Sequence, residues 1–518
     1  MKKIITLVLV LTTFVLTAAM EEYDRKSISI FKMDVTPAAI TATQSDVQMI
    51  YDAVFQKFTN MGRFDYNPIP AGVTNASELF EIVKEYTATK IEERAAKQWD
   101  IKNEYYGTNF VTGENVDKIM NGAYILFPRL NAFAVTKKKK GDDFTASVSV
   151  SVDVYAGKNT GTVENPQWTP ELVKTINASG SNALGSLFDI NLNPKKKDKR
   201  SEAIKSATNG MLLFLEKELK KIDAFKIKAL VTKAEPKKDK IAFNFGKNVG
   251  VNVDDAYTVG YFMNKGGKQE FVETGYMKVR KVDDKESTSQ LLIVTNPKNE
   301  KEDDLFNEYD QCYEYPLVGL NIFVQGGMNS FKFWSEDADF TSTPIVDLEE
   351  ESITAFGGLN LEYDIAKFVK IPELYINATY DFLPVELGNI TEIVNSVLYT
   401  YEYSVTTGIA ELGFTKKFFS RRLGWYFGAD VGYMMMSFDQ GDDTTNDYYS
   451  VGGKAKVGIN YMLDKQLLFD LGAGYRFYGE LTDEDGNEVF EAWGPDYEGE
   501  GWLTPSGFVV RAGLGFTL

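Results

Sequence analysis

Strict alternation of apolar and polar residues recurs along the chain after residue 316. Between residues 467 and 478, every second position from Leu467 onwards is apolar or aromatic, whereas the intervening positions include Asp470 and Arg476. A side-chain period of two is that of a β-strand. The pattern predicts eight strands, at residues 317–328, 354–365, 373–383, 399–415, 423–437, 449–462, 466–479 and 507–518.

The connections between these strands alternate in length. Those after the second, fourth and sixth strands are short, and the others are long. This predicts an eight-stranded antiparallel up-and-down transmembrane β-barrel over residues 316–518. A soluble barrel with its apolar face inward alternates in the same way. Glycine on the polar faces and aromatic residues near the strand ends favour the membrane barrel.

The polar faces of the strands would line the lumen. An eight-stranded barrel is only wide enough for its own side chains, so we expect the charged ones to form an ion-pair network rather than a conduction path. The predicted network consists of Glu362, Glu411, Asp430, Lys454, Lys456, Asp470, Arg476 and Arg511.

The four long loops are acidic and are expected to be extracellular. They hold 22 acidic residues and one basic residue, Lys332. Asp483, Asp485 and Glu488 are candidate ligands for a divalent cation, although their spacing is not that of an EF-hand. A solvated, mutually repulsive loop would explain the same residues.

The chain begins with Met1-Lys2-Lys3, an apolar run over residues 4–16 and small residues up to Ala19. This order predicts a signal peptide at residues 1–19. The run falls short of the ~20 residues that a spanning helix needs, and an N-terminal anchor helix is the alternative.

Residues 20–224 mix both periodicities and predict an α/β domain. Its strands are expected at residues 27–33, 123–135, 144–155 and 171–179, and its helices after a capping box at 45–48, at 76–98 and at 201–222. A small all-β module over 225–297 and a charged linker over 298–315 follow. Three lysine-rich segments lie at predicted turns and would either dock an anionic partner or be solvated: Lys137–Lys140, Lys195–Arg200 and Lys237–Lys240.

Composition excludes several classes of chemistry. The chain has no histidine and one cysteine, Cys312, which rules out Ser-His-Asp catalysis, His-ligated metals and an internal disulfide. No carboxylate pair with hydrolase spacing stands out. We therefore expect a non-enzymatic protein without a cofactor. A net charge of -18 argues against nucleic acid as a partner.

Charge is also unevenly distributed. Residues 315–518 hold 12 basic and 31 acidic residues, whereas the first 314 hold 44 and 43. Such asymmetry indicates parts in different surroundings.

Three resemblances follow from these segments. The C-terminal third resembles small outer-membrane β-barrel proteins of Gram-negative-type bacteria, although it ends in Phe516-Thr517-Leu518 rather than in an aromatic residue. The N-terminal part resembles curli-secretion-type and TolB-like periplasmic domains, and the Gly-rich turn with the strand after it is similar to the C-terminal module of flagellar-ring-associated proteins. The segments that carry these last two are Ser27–Phe31, Gly62–Asp65, Ala123–Leu126, Phe144–Val150, Ala178–Gly180 and Gly246–Asp255.

Together these features predict an outer-membrane-anchored protein whose periplasmic N-terminal region scaffolds or binds a cell-envelope component, in envelope assembly, secretion or motility support. Its expected partners are outer-membrane lipid and a periplasmic protein or the cell wall, with divalent cations at the acidic loops. A surface-exposed binding protein or adhesin that uses those loops is the first alternative. A narrow channel is the second.

Overall fold

A computed structural model describes residues 25–68, 73, 76–89, 93, 97–103, 107–112, 116, 119–120, 124–139, 143–162, 165, 167–182, 198–296, 301, 305–332, 345–348, 351–394, 397–439, 445–483 and 506–518. The predicted signal peptide lies outside these ranges. None of the helices within them has the length and apolar character needed to cross a membrane.

The N-terminal part is a three-layer α/β domain. Its elements are β1 (Lys26–Ile30), β2 (Asp34–Val35), α1 (Gln44–Thr59), β3 (Phe64–Tyr66), α2 (Ala76–Ala88), a hairpin of β4 (Gln98–Asn103) and β5 (Gly107–Thr112), β6 (Tyr124–Lys137), β7 (Phe144–Asn159), β8 (Trp168–Ser181) and α3 (Lys199–Lys220). The sheet has the order β3-β1-β6-β7-β8, with β2 paired to β6. Helices α1 and α3 cover one face of the sheet, and α2 covers the other.

Two local features of this domain differ from the sequence-based expectation. The capping box uses Thr43, whose hydroxyl accepts from the Asp46 amide while the Asp46 carboxylate accepts from the Thr43 amide, so the cap lies two residues before Ser45. The second helix ends at Ala88, and residues 98–103 are already strand β4, paired with β5.

A small closed barrel follows. Its strands are β9 (Lys228–Glu235), β10 (Lys240–Phe243), β11 (Ala256–Lys265), β12 (Lys268–Val282), β13 (Ser287–Val294) and β14 (Gln311–Glu314), in the order β10-β13-β12-β11-β14-β9. The last strand in sequence, β14, lies in the segment 298–315 that was expected to be a linker. Leu305 and Phe306 of the same segment are buried in the core of this barrel, since apolar residues follow the charged run there.

The C-terminal part is the predicted eight-stranded antiparallel barrel. Strand β15 pairs with both β17 and β23, and the closing pair is β18 with β19. Strand β16 is a short addition beside β18. The elements are β15 (Leu320–Lys332), β16 (Ile345–Leu348), β17 (Glu351–Asp364), a single helical turn α4 (Ala366–Val369), β18 (Leu374–Val394), β19 (Val397–Ser420), β20 (Leu423–Asp439), β21 (Thr445–Met462), β22 (Leu467–Tyr478) and β23 (Ser506–Thr517).

The eight predicted strand positions are confirmed, and the main difference is length. Strand β18 continues to Val394, 11 residues past its predicted end at 383, and pairs along its whole length with β19. Strand β19 begins at Val397, two residues before the predicted start at 399, and ends at Ser420 rather than 415. Their hairpin therefore extends beyond the last residues of β19 that pair with β20. We call the end of the barrel with the short connections 365–373, 421–422 and 463–466 the turn end, and the opposite end the loop end.

Candidate functional site

The outer wall of the large barrel is apolar. Many of the apolar side chains that point outwards are exposed, from 37% for Phe469 to 71% for Val451. The alternate positions on the same strands point inwards and include charged residues that are almost fully buried. An apolar exterior around a polar interior is the inverse of a soluble barrel and the arrangement of membrane-spanning ones.

Arg476 lies at the centre of the lumen and has no exposed surface. Its guanidinium donates to Glu411 at 3.2 Å, to the side-chain oxygen of Asn329 at 2.9 Å and to Asp381. A planar group with five N–H donors can satisfy several acceptors at once, which suits it to this position. Glu411 also accepts from the hydroxyl of Tyr478 at 3.1 Å.

The remaining lumen charges extend this network. Lys454 pairs with Glu411 and, at 3.4 Å, with Asp430, which also pairs with Lys456 at 2.9 Å. Towards the turn end, separate pairs join Lys417 to Glu362 and Arg511 to Asp470. Every charge of the interior described above therefore lies within ion-pair distance of an opposite one.

All eight residues predicted for the lumen lie inside the barrel and take part in these pairs. Sequence reasoning missed Asp381 and Lys417, which bring the described interior to five acidic and five basic side chains. Asp381 shares the inward face of its predicted strand with Asn377 and Thr379, so alternation alone could have found it. Lys417 was missed because the fourth strand was expected to end at residue 415.

Above the charged layer, the inward positions become apolar towards the loop end. On β19 the inward series runs from Glu411 through Ile409 and the polar Thr407 to Val405, and on β20 it runs from Asp430 to Met434 and Met436. The apolar ones belong to one buried cluster inside the barrel: Phe356, Leu383, Val405, Ile409, Met434, Met436, Tyr448, Tyr478, Leu481 and Val509. The lumen thus has a charged layer beneath an apolar one.

The small barrel contacts the turn end through a buried ion cluster. Arg280 pairs with Glu373 at 2.8 Å and with Asp254, while Lys278 lies 3.3 Å from Glu373. The hydroxyl of Tyr375 also donates to Glu373. Burial alone would raise the pKa of Glu373, but the charges of Lys278 and Arg280 outweigh it and hold that pKa well below its usual range.

The other two short turns hold the small barrel as well. Arg421 pairs with Asp239 and donates to the Pro236 carbonyl at 2.9 Å. Gln290 donates to the Phe419 carbonyl at 2.6 Å. At the third turn, Lys465 pairs with Glu273 at 2.6 Å. We call these three sets of contacts, one at each turn, the three-turn clamp.

The α/β domain joins the same assembly through a second buried chain of charges. Arg63 makes a bidentate pair with Glu314, at 2.7 and 3.1 Å. Lys220 lies 3.5 Å from Glu314 and 2.9 Å from Glu216, which also pairs with Lys57. Burial opposes ionisation of Glu314, yet the adjacent Arg63 and Lys220 hold its pKa below the usual value.

Helix α3 also packs against the outside of the large barrel. Leu213 and Phe214 lie on an apolar cluster near its turn end that contains Val318, Leu320 and Tyr363. The α/β domain is therefore fixed both to the small barrel and to the large one.

A cavity of about 60 Å³ remains where α3, the small barrel and the turn end meet. Asp254, Asp255, Lys220, Lys278 and Glu314 are among the residues that line it. It has room for a few water molecules. Burial raises the pKa of Asp255, opposed by the charge of Lys220.

The candidate cation ligands fall mostly outside the described residues. Asp483 follows directly after the bridge between Thr482 and Tyr449, and Asp485 and Glu488 are not described. Within the described ranges, no group of three or more cysteine or carboxylate side chains is placed to hold a metal ion. The divalent-cation site stays a prediction.

No protein-family model and no curated protein matches the chain. Several solved structures are similar to its barrel. Neisserial surface protein A matches at 12% identity, over 39% of this chain and 97% of that one, with a TM-score of 0.25. The outer membrane protein OprG from Pseudomonas aeruginosa matches at 12% identity over 38% and 95%, with a TM-score of 0.25. The attachment invasion locus protein Ail of Yersinia pestis matches at 11% identity over 38% and 99%, with a TM-score of 0.22.

Proposed function

We propose that this chain is a non-enzymatic outer-membrane protein whose barrel anchors two N-terminal domains in the periplasm. The apolar outer wall supports the membrane location, because that much exposed apolar surface is unfavourable in water. The turn end faces the periplasm in this proposal, and the acidic long loops face outside. The paired charges of the lumen and the apolar cluster above them argue against the channel alternative.

The observation that carries the proposal is the three-turn clamp. A protein that needed only a membrane anchor could join its domains through a flexible segment. Here every short turn of the barrel contacts the small barrel, and Glu314 and Lys220 continue the attachment to the α/β domain. Such an arrangement holds the α/β domain at a fixed place beneath the membrane, as a scaffold requires.

The charge of the α/β domain indicates what it would hold. Lys199, at the start of α3, pairs with Asp143 at 3.1 Å and so joins the β6–β7 tip, where Lys137, Lys138 and Lys139 are exposed. Two of the three lysine-rich segments thus meet at one place. Lys199 precedes the barrel contact at Leu213 by 14 residues, about 21 Å along a helix. This basic tip favours an anionic cell-wall polymer as the partner.

Sedimentation with isolated cell-wall sacculi tests this proposal. The purified full chain should co-sediment, and the triple variant K137Q/K138Q/K139Q should lose most of that binding. The matched control is K237Q/K238Q/K240Q, which removes the same charge from the third lysine-rich segment, next to the turn end. Equal binding of all three proteins would contradict the wall as partner. Loss in both variants would indicate unspecific attraction.

A further inference from the structure

A patch of aromatic side chains lies on the outer wall beside the second turn. Phe418 stacks on Trp425 with ring centroids 4.2 Å apart, and Phe427 lies 5.9 Å from Phe418. Trp425 and Phe427 are each at least half exposed. In the proposed orientation this surface faces the lipid chains at the periplasmic edge of the membrane, where amphipathic aromatic rings are typical.

Basic groups surround the patch on its turn-end side. The ammonium of Lys416 lies 4.5 Å above the ring of Phe418. Arg421 and Arg422 form the turn itself, and Arg422 donates to the carbonyls of Met462 and Leu463, which fixes its position.

The small barrel adds three more cations to this place. Arg421 binds Asp239 and the Pro236 carbonyl, so the segment that follows β9 lies against the turn. Lys237, Lys238 and Lys240 of that segment are exposed. The lysines and the aromatic wall are about 180 residues apart in sequence, and only the clamp brings them together.

Carboxylates offset part of this charge. Asp239 pairs with Arg421, and Glu235 pairs with Lys233 at 3.0 Å and Lys238 at 3.6 Å. Lys416 also interacts with the buried carboxylate of Glu373. The exposed Lys237, Lys238 and Lys240 give this corner a basic rim beside an apolar, aromatic wall.

We propose that this corner binds an anionic phospholipid of the periplasmic leaflet. The acyl chains would lie on Phe418, Trp425 and Phe427, and the phosphate would face Arg422 and the three lysines. The wall is what selects a lipid over free phosphate, because a soluble anion gains nothing from it. The inference rests on the proposed membrane orientation and adds to it a lipid preference.

Quenching of tryptophan fluorescence by brominated lipids measures this preference. The full chain is reconstituted in phosphatidylcholine vesicles with a small fraction of phosphatidylglycerol, and bromine is placed on the chains of one lipid or the other. The contribution of Trp425 is the difference from the variant W425F. Brominated phosphatidylglycerol should quench that contribution well beyond its mole fraction.

The lysines should account for that enrichment. One basic residue near an anionic lipid contributes up to about fivefold, and three contribute up to about a hundredfold. The variant K237Q/K238Q/K240Q should therefore abolish the enrichment. The variant K137Q/K138Q/K139Q carries the same charge change in the α/β domain, away from the second turn, and should retain the enrichment. Excess inorganic phosphate should leave the quenching unchanged.

Each contrary result has a distinct meaning. Quenching in proportion to mole fraction, equal losses in both lysine variants, or relief by inorganic phosphate would overturn the lipid site while the barrel stays in the bilayer. Absence of quenching by either brominated lipid would mean that Trp425 does not face lipid, and the proposed placement of the barrel in a membrane would fail with it.

Discussion

Replacing Arg280 by methionine tests whether the three-turn clamp stabilises the small barrel. Arg280 joins Asp254 to Glu373. Without it these two buried carboxylates remain close together, and Lys278, which lies 3.3 Å from Glu373, also pairs with a third buried carboxylate, Asp364, at 3.9 Å. Removing one partner of a buried pair costs ~3–5 kcal/mol, and the remaining lysine favours the lower value. For a unit of this size, ~3 kcal/mol corresponds to a fall in Tm on the order of 10–20 °C.

Thermal unfolding of the full chain in neutral detergent, followed by near-ultraviolet circular dichroism, measures this change. The large barrel is monitored separately by its heat-dependent migration on gels, which should not change. The matched control is Lys281→Met at the next residue, where the lysine is exposed and pairs with exposed Asp283 at 2.8 Å. The control should leave Tm unchanged. An Arg280→Met protein that unfolds like the control would refute the clamp.

Three further results are expected. Asp255→Asn should raise Tm near neutral pH, because burial raises the pKa of Asp255 and its ionised form lowers the free energy of unfolding. The gain should vanish as the pH falls through that raised pKa, and a gain independent of pH would contradict this cause. Glu314→Gln should lower Tm above about pH 4.5, because the ionised Glu314, whose pKa is lowered, adds to the free energy of unfolding there. That contribution is lost as the pH falls through the folded-state pKa, and an unchanged Tm at neutral pH would contradict the prediction. Planar bilayers containing the full chain should show no single-channel steps, whereas regular steps would show that the lumen network around Arg476 opens.

Alternation was sufficient to locate the large barrel. On each of its strands one face meets an apolar exterior and the other a polar lumen, so a period of two is imposed on every residue. The lumen charges followed for the same reason, since Glu411, Lys454 and Arg476 stand on the polar face of their strands. The length of β18 and β19 could not be read in this way, because their outer parts leave the barrel.

Contacts between distant segments could not be predicted. Arg280 and Glu373 are 93 residues apart, and neither stands in a local pattern that points to the other. Strand β14 was hidden because a strongly charged run precedes it. Its pairing with β9 and β11 depends on the closure of the small barrel rather than on its own four residues. The capping box was misplaced by two residues because Thr43 and Ser45 both satisfy part of its pattern.

The central claim is that the barrel crosses the outer membrane with its N-terminal domains inside. Protease treatment of intact cells tests it most directly, with one cleavable tag inserted after Asp483 and another after Lys139, which follows β6. Only the tag after Asp483 should be cut until the outer membrane is opened. Cleavage of the tag after Lys139 on intact cells would contradict this claim.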